Sequence, residues 1–407
     1  MTTRAVTLSL LVLAAIVQAA PAQDLALVNA TVIDGTGAVP LANATVIIRG
    51  GRIVSVGVSA DVSGLQTIDL GGRYVLPGLV DAHCHLDSPD AAKRALMSGV
   101  TTARVLGEGY WQATGTRDLI KAGHLEGPEL LTAGPIIRPK PGVPFYVTQP
   151  EFGEWMSGEL RGPQNVAVVV RAVLAKGVDV IKVGASERAG LASTDPRRPE
   201  LTYEELKAAV DEATKAGRFV AAHAHAERGA EDAVRAGVRS IEHGTYVNER
   251  TLQMMKARGT FLVPTLAVMS PLGDPQGDQA DEVALRVRTW HMQTALRAVV
   301  RRAKALGVTV AAATDGSYGS GDDTARIRVQ HDMEHLVECG FSPMEAIVAA
   351  TRDGARVLGI DQRTGTVSAG KEADLIVLDR DPLQDLRATF EPLLVVANGH
   401  VVLNRVY

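Results

Sequence analysis

The chain has 407 residues, of which 46% are hydrophobic and 22% are charged, and its formal net charge is -4. This composition is typical of a globular protein with a substantial core and argues against disorder. The sequence has no run of Lys and Arg that would bind nucleic acid, and its two cysteines, Cys84 and Cys339, are too few for a disulfide-stapled scaffold. We therefore expect a small-molecule partner and no nucleic acid.

The first 22 residues have the features of a secretory signal peptide. Arg4 precedes an apolar stretch from Ala5 to Val17, and the segment Ala20-Pro21-Ala22 fits a small-residue cleavage site. We predict a signal peptide over residues 1–22 and a mature protein that is periplasmic or secreted, without membrane attachment. The alternative is an uncleaved anchor, but the apolar run is shorter than the ~20 residues that a membrane span needs.

Both ends of the mature chain are predicted to form short strands. Residues 23–75 contain LALVNATVID and ATVIIRGGRIVSVG, with Gly50 and Gly51 at a hairpin turn. Residues 361–407 contain ADLIVLD and LLVVANGHVVLNRVY. Because neither piece offers enough strands for a core of its own, we predict that both termini pair into one small β-sandwich domain.

Between these ends, residues 76–360 alternate between strand and helix patterns. In the helical pattern TYEELKAAVDEATKAG, Thr202 and Glu205 form a capping box and Gly217 suits the end. The eight candidate strands are GLVDAHCH, TTARVLG, ELLTAGPII, VDVIKVG, FVAAHAH, SIEHGT, FLVPTL and VTVAAATD. Eight alternations predict an α/β fold of the (β/α)8 TIM-barrel type. The alternative is an open doubly wound sheet, but no G-x-G-x-x-G follows the first strand.

Two segments rich in proline or glycine interrupt this alternation. Residues 134–150, GPIIRPKPGVPFYVTQP, are predicted to form a long loop after the third strand rather than a regular helix. Residues 271–281, PLGDPQGDQAD, are predicted to form a second loop after the seventh strand. In a barrel both loops would lie on the rim where active sites are assembled.

Metal-binding residue types are concentrated at the ends of the predicted strands. The candidates are His83, His85, Lys182, His223, His225, His243 and Asp315. In a strand, side chains two residues apart project to the same side, so His83 and His85 share a face and Cys84 points away from it. Since parallel strands end at one mouth of a barrel, these side chains should meet there.

Lys182 and Asp315 add chemistry that imidazoles do not have. An ammonium at the end of the apolar run VDVIKVG is costly to bury without a partner. Lys182 could pair with a carboxylate, extend to the mouth, or react with carbon dioxide to give a carbamate that bridges two metal ions. Asp315 offers both a ligand oxygen and a proton acceptor.

The motifs VLPGLVDAHCH, SIEHGT, AATD and GTVSAGKEADLIVLDRDPL resemble those of the amidohydrolase superfamily. Lys182 and the segment AAHAHAERGAEDAVRAGVRSIEHG resemble its binuclear-zinc branch, which contains Xaa-Pro dipeptidases, carboxypeptidase-like enzymes and ochratoxin-cleaving amidases. The resemblance covers nearly the whole mature chain. It implies a hydrolase that cleaves an amide bond, either of a dipeptide of the Xaa-Pro type or of an N-acyl amino acid.

The resemblance also implies a ligand set and a mechanism. One zinc would be held by His83, His85 and Asp315 and the other by His223 and His243, with a carboxylated Lys182 and a hydroxide bridging them. Asp315 would move the proton, and His225 would bind the substrate carbonyl or the developing oxyanion. The spacing within the strand does not separate His223 from His225, so the reverse assignment of these two residues stays open.

The substrate contacts and the reaction class have alternatives. Many relatives carry a glycine- and histidine-rich loop where this chain has RPKPGVPFYVTQPEFG. In this segment, Tyr146, Arg138 and Lys140 are candidates for binding a carboxylate. The rival enzyme is a mononuclear cyclic-amide hydrolase or deaminase in which Lys182 is merely buried. A non-catalytic metal-binding protein is a third hypothesis, against which Asp315 argues. A homo-oligomer is implied only by analogy with relatives.

Overall fold

The structure is a computed structural model that describes residues 24–156, 158–269, 283–319 and 326–406. The predicted signal peptide and the predicted loop at 271–281 lie outside the described residues. Within the described part of the chain, none of the helices combines the length and the hydropathy that a membrane span requires.

Strands from both ends of the chain form one eight-stranded sheet. The strands are β1 (Leu25–Val32), β2 (Leu41–Arg49), β3 (Arg52–Gly57), β4 (Gln66–Asp69), β5 (Tyr74–Pro77), β13 (Leu375–Leu378), β14 (Leu394–Ala397) and β15 (His400–Asn404). Their order in the sheet is β15-β14-β13-β5-β1-β2-β3, and β4 pairs with β1. Antiparallel pairing of β5 with β13 joins the two ends of the chain, and Gly50-Gly51 connects β2 to β3 as predicted.

Both faces of this sheet are buried near its centre. Leu375 and Val377 of β13 pack in a core with β1 and β2, whereas Ile376 and Leu378 pack against the rest of the protein. This alternation follows from the two-residue period of a strand and fixes the register of the pairing. The packing of two sheets into a sandwich, and the domain boundaries, stay predictions.

Seven of the eight predicted central strands are present, in two parallel sheets. One sheet contains β6 (Leu79–Cys84), β7 (Val100–Gly107) and β8 (Glu129–Pro135), and the other contains β9 (Val180–Gly184), β10 (Phe219–Ala224), β11 (Ser240–His243) and β12 (Phe261–Val263). Backbone hydrogen bonds join the sheets beside β8 and β9, where the Ile137 N–H donates to the Lys182 carbonyl at 2.9 Å. The mixed α/β class is thereby confirmed.

The eighth predicted strand, residues 308–315, is not a regular strand. Val310 makes a single parallel bridge to Leu262 of β12, and Ala312 accepts from the Ala82 N–H at 3.3 Å. Beyond this point, buried carboxylates take the backbone donors: Asp332 accepts from Ala313, and Asp81 accepts from Thr314. The segment therefore lies between β12 and β6, but its end is held by side chains rather than by a strand ladder.

Eleven α-helices in the described residues flank these strands. They are α1 (Pro89–Met97), α2 (Thr116–Lys121), α3 (Val143–Thr148), α4 (Pro163–Ala175), α5 (Tyr203–Lys215), α6 (Glu227–Ala236), α7 (Glu249–Arg258), α8 (Val283–Leu306), α9 (Val329–Glu338), α10 (Pro343–Ala349) and α11 (Arg352–Leu358). The predicted capping box of Thr202 and Glu205 begins α5. Left-handed Gly237 and Gly259 end α6 and α7.

The prediction of a loop without helix over residues 134–150 is wrong. After β8 the segment forms the short helix α3, Val143–Thr148, which is followed by a 3-10 helix over Pro150–Met156. A proline lies in the first turn of α3, where the missing N–H is not needed for the helix ladder. Proline thus starts this helix instead of preventing it.

Candidate metal and catalytic site

Seven predicted site residues line one cavity at the carboxyl ends of the central strands. The cavity has a volume of about 470 Å³, and the residues are His83, His85, Lys182, His223, His225, His243 and Asp315. His83 and His85 reach the cavity from the end of β6, while Cys84 between them is buried and its Sγ lies 3.6 Å from the Arg104 carbonyl oxygen. The strand geometry therefore gathers residues that are far apart in the sequence.

Asp315 links the two histidines of the first strand. Its Oδ1 lies 3.1 Å from His83 Nε2 and 2.9 Å from His85 Nε2. Burial would raise the pKa of the Asp315 carboxyl, but the neighbouring imidazoles hold it well below its usual value. Asp315 is therefore an ionised carboxylate that shares one position with two imidazole nitrogens, which is a suitable donor set for a divalent metal ion.

His223 and His243 form a second pair whose ring nitrogens face each other. His243 Nε2 lies 3.0 Å from His223 Nδ1. Thr265 Oγ1 donates its own proton to the Pro264 carbonyl, so it accepts from His243 Nδ1 at 2.8 Å. His223 Nε2 faces the carbonyl oxygen of Glu187, which can only accept.

These contacts favour one tautomer for each ring. Burial lowers the pKa of His223 and of His243 well below the usual value, so each ring is neutral and carries one proton. When the protons are directed to Glu187 and Thr265, both facing nitrogens present lone pairs, which a cation beside them would accept. In the other tautomers, one ring donates to the other across the same 3.0 Å contact.

His225 shares the cavity with this pair. The ligand atoms of His223, His225 and His243 lie within 4.8 Å of one another, as do those of His83, His243 and Asp315. Burial lowers the pKa of His225 to about 3, and Thr245 Oγ1 lies 2.8 Å from its Nδ1. His225 is therefore neutral and held by one nitrogen, and proximity alone does not exclude it as a ligand.

Lys182 lies among these groups, and its Nζ has no hydrogen-bond partner in the described residues. Its side chain is buried, and burial lowers its pKa to about 8 although Glu242 and Asp315 favour the ammonium. A lysine with this pKa is partly neutral near pH 8, and a neutral amine is the form that reacts with carbon dioxide. The unpartnered Nζ, the two imidazole pairs and the carboxylate of Asp315 fit a two-metal centre with a lysine carbamate.

Partners that the sequence did not indicate hold the candidate ligands in place. Glu108 Oε1 lies 2.7 Å from His85 Nδ1, and Glu242 Oε2 lies 3.0 Å from His83 Nδ1. Buried Arg104 donates to the other oxygen of Glu242 at 2.9 Å. Partners of this kind orient a ligating imidazole so that its remaining nitrogen faces the metal. Glu242 directly precedes His243, but no spacing rule distinguishes it from an ordinary strand residue.

The backbone at the site is strained. His243, Thr265 and Asp315 have φ values of 70°, 52° and 53°, which side chains with a Cβ rarely adopt. Such conformations persist where the surrounding contacts over-determine them, and they are frequent at functional sites. Here the strained residues are two candidate ligands and the threonine that orients one of them.

The predicted carboxylate-binding residues of the segment after β8 do not line the cavity. Tyr146 is not among the residues that line the cavity, and its hydroxyl donates to the Trp155 carbonyl at 3.0 Å. Arg138 is buried and pairs with Glu200 at 2.6 Å, while Lys140 is exposed. The cavity is lined instead by Arg188 and Glu108 and by an apolar group of Leu106, Ile136, Val268, Met269 and Leu285.

Comparisons with known proteins agree with the resemblance seen in the motifs. The model of the amidohydrolase family matches residues 74–402. Ochratoxinase from Aspergillus niger is 30% identical, over 88% of this chain and 81% of its own length. The crystal structure of a Xaa-Pro dipeptidase with methionine bound in its active site is 26% identical with a TM-score of 0.83, and the match covers 94% of this chain and 100% of that one. The crystal structure of A. niger ochratoxinase superposes with a TM-score of 0.80 at 25% identity, covering 94% and 96% of the two chains.

Proposed function

The chain belongs to the amidohydrolase family and is a hydrolase of C–N bonds, and on this premise we propose that it cleaves the amide bond of a dipeptide or an N-acyl amino acid with two zinc ions. The observation that carries this proposal is the pair of facing ring nitrogens, His223 Nδ1 and His243 Nε2, with the unpartnered Nζ of Lys182 in the same cavity. A bound cation would accept both ring nitrogens as ligands, and Lys182 would become a ligand once it is a carbamate.

Each metal ion would have its own set of protein ligands. His83, His85 and Asp315 would hold one, His223 and His243 would hold the other, and Lys182 as a carbamate would bridge them. The proton assignment favours His223 over His225 as the ligand, because His223 Nδ1 faces His243 Nε2. When bound, two zinc ions would lower the pKa of a shared water and polarise the substrate carbonyl.

Asp315 and His225 would carry out the proton transfer and the substrate contact. Asp315, an ionised carboxylate, would accept the proton of the attacking water and deliver it to the departing nitrogen. His225 is neutral, and if the Thr245 hydroxyl donates to its Nδ1, its Nε2 carries a proton. That N–H would donate to the developing oxyanion, a contact that strengthens in the transition state.

The relatives support an amino-acid-containing substrate. One relative is named for Xaa-Pro dipeptides and holds methionine in its active site, and another is an ochratoxinase. The cavity of this chain has an apolar side, formed by Ile136, Val268, Met269 and Leu285, that suits an apolar side chain of such a substrate.

We extend the proposal to the fold and the location of the protein. Residues 308–315 would close a (β/α)8 barrel, the strands of both termini would form a β-sandwich, and residues 1–22 would direct export.

A substrate screen with defined metal content tests the function. The full chain would be purified with bicarbonate, loaded with zinc, and offered dipeptides and N-acyl amino acids, with amine release as the readout. We expect hydrolysis with loaded zinc and none after chelation. Hydrolysis of cyclic amides alone, with one zinc per chain, would support the mononuclear alternative. An absence of hydrolysis throughout, with metal bound, would contradict the proposal and support the binding protein.

A further inference from the structure

Arg188 is a cation at the mouth of the cavity that the mechanism above does not use. It follows Lys182 by six residues, in the loop after β9, and lines the same cavity as Lys182 and Asp315. Burial and the neighbouring Arg138 lower the pKa of Arg188 from its usual value, and the carboxylates of Glu200, Asp315 and Glu108 are near enough to oppose this shift. The guanidinium is therefore within electrostatic reach of the reacting groups.

Within the described residues, the Arg188 side chain has neither a hydrogen bond nor an ion pair. Its neighbours in the same region are neutralised: Arg138 pairs with Glu200, and Arg197 pairs with Asp195. A guanidinium offers five donors in a planar fork that matches a carboxylate. An unpaired guanidinium beside a cavity is thus available to an anionic ligand.

The backbone that carries Arg188 is held in place. The Arg188 carbonyl accepts from Thr194 Oγ1 at 2.6 Å, and the Ala189 carbonyl accepts from Arg288 Nη1 of α8 at 3.0 Å. On the other side, Glu187 N donates to the Arg198 carbonyl at 3.0 Å. Because these contacts are made without a ligand, little ordering of the loop is required on binding.

We propose that Arg188 binds the free carboxylate of the amino acid that leaves in the reaction, and so selects amides that carry this carboxylate next to an apolar side chain. The inference rests on the proposed function, since it assigns the substrate end that the metal ligands do not touch. The apolar group of Ile136, Val268, Met269 and Leu285 would contact the side chain of that substrate. This role replaces the one predicted for Tyr146, Arg138 and Lys140, which lie outside the cavity lining.

The test compares two substrates that differ only in charge. N-acyl-L-phenylalanine carries the carboxylate, and N-acyl-L-phenylalaninamide lacks it. In the zinc-loaded wild type we expect the acid to have the higher kcat/KM. Arg188→Met should lower kcat/KM for the acid by roughly 10- to 100-fold, the range of a charge-assisted contact. It should change kcat/KM for the amide by less than about threefold.

A matched control separates this role from a structural one. Arg197→Met removes an exposed cation of the same loop, which is paired locally with Asp195. This variant should leave kcat/KM unchanged for both substrates. Zinc content should be equal in the wild type and both variants. If Arg188→Met lowers kcat/KM equally for the acid and the amide, or lowers it for neither, the proposal is overturned.

A binding measurement distinguishes failure of this inference from failure of the proposed function. If the wild type hydrolyses neither substrate, calorimetric titration with N-acyl-L-phenylalanine still reports on the carboxylate contact. Binding that weakens by roughly 10-fold or more in Arg188→Met, but not in Arg197→Met, would support Arg188 and reject only the hydrolysis. Equal binding to all three proteins would reject the role of Arg188.

Discussion

Replacement of the buried Lys182 should have opposite effects on the stability of the metal-free and the metal-loaded protein. In metal-free protein without bicarbonate, the folded state carries Lys182 with a pKa of about 8 instead of 10.5. At 1.36 kcal/mol per pKa unit, this difference destabilises the folded state at pH 7 by about 3 kcal/mol. Lys182→Met removes the charge and keeps an unbranched apolar chain, so it should stabilise the metal-free protein by up to about this amount.

The pH dependence of this effect has a defined sign. Below pH 8 the lysine is protonated in both the folded and the unfolded state, and the buried ammonium destabilises the folded state by the full amount. Between pH 8 and pH 10.5 the unfolded state binds more protons, so the stability of the wild type rises with pH. The difference in the free energy of unfolding between Lys182→Met and the wild type should therefore decrease over this interval and disappear near its upper end.

The assay is urea unfolding of the metal-free wild type and variant at pH 7 and at pH 10, followed by circular dichroism. Lys215→Met, at an exposed lysine of α5, is the control and should change the free energy of unfolding by less than about 0.5 kcal/mol. In the presence of zinc and bicarbonate, the wild type should be more stable than Lys182→Met, because the variant loses the bridging ligand and most bound zinc. A metal-free variant that is less stable than the wild type at pH 7 would refute the reasoning.

Three further substitutions test the individual roles. Asp315→Asn keeps a ligand oxygen and loses the proton acceptor, so zinc content should largely persist while kcat falls by roughly 10²–10⁴-fold; wild-type kcat would show that another group moves the proton. Thr265→Val removes the acceptor that fixes the His243 tautomer and should weaken zinc binding by roughly 10- to 100-fold, as measured by competition with a chelator, whereas Thr265→Ser should retain it. Thr245→Val should lower kcat through His225 without loss of zinc, and a loss of zinc would instead identify His225 as a ligand.

The fold was predictable where one pattern controls the backbone. The two-residue period of His83 and His85 placed both imidazoles in the cavity and Cys84 away from it. The capping box at Thr202 began a helix where expected. These features depend on neighbours within a few residues, so the sequence alone contains the information.

The errors occurred where distant groups decide the backbone conformation. The buried carboxylates of Asp81 and Asp332 accept the N–H groups of residues 313 and 314, so the eighth predicted strand ends in an irregular segment. No local pattern indicates that these two aspartates, far away in the sequence, reach this segment. The helix at Val143–Thr148 has a local cause instead, because a proline in the first turn is compatible with a helix that continues beyond it.

The candidate ligands could be identified from the sequence, but their supporting contacts could not. Strand ends are visible as residue patterns, and they converge because parallel strands point the same way. Glu108, Glu242 and Arg188 approach the site from loops and neighbouring strands, through side-chain directions that only the folded chain defines. The candidate ligands are thus defined by the motifs, whereas the proposed substrate contacts depend on the tertiary structure.

The zinc content of the wild-type chain, purified with bicarbonate and measured by atomic absorption, tests the central claim most directly. A two-metal centre bridged by Lys182 predicts about two zinc ions per chain, and the loss of most of this metal in Lys182→Met. One zinc per chain, unchanged in that variant, would contradict it.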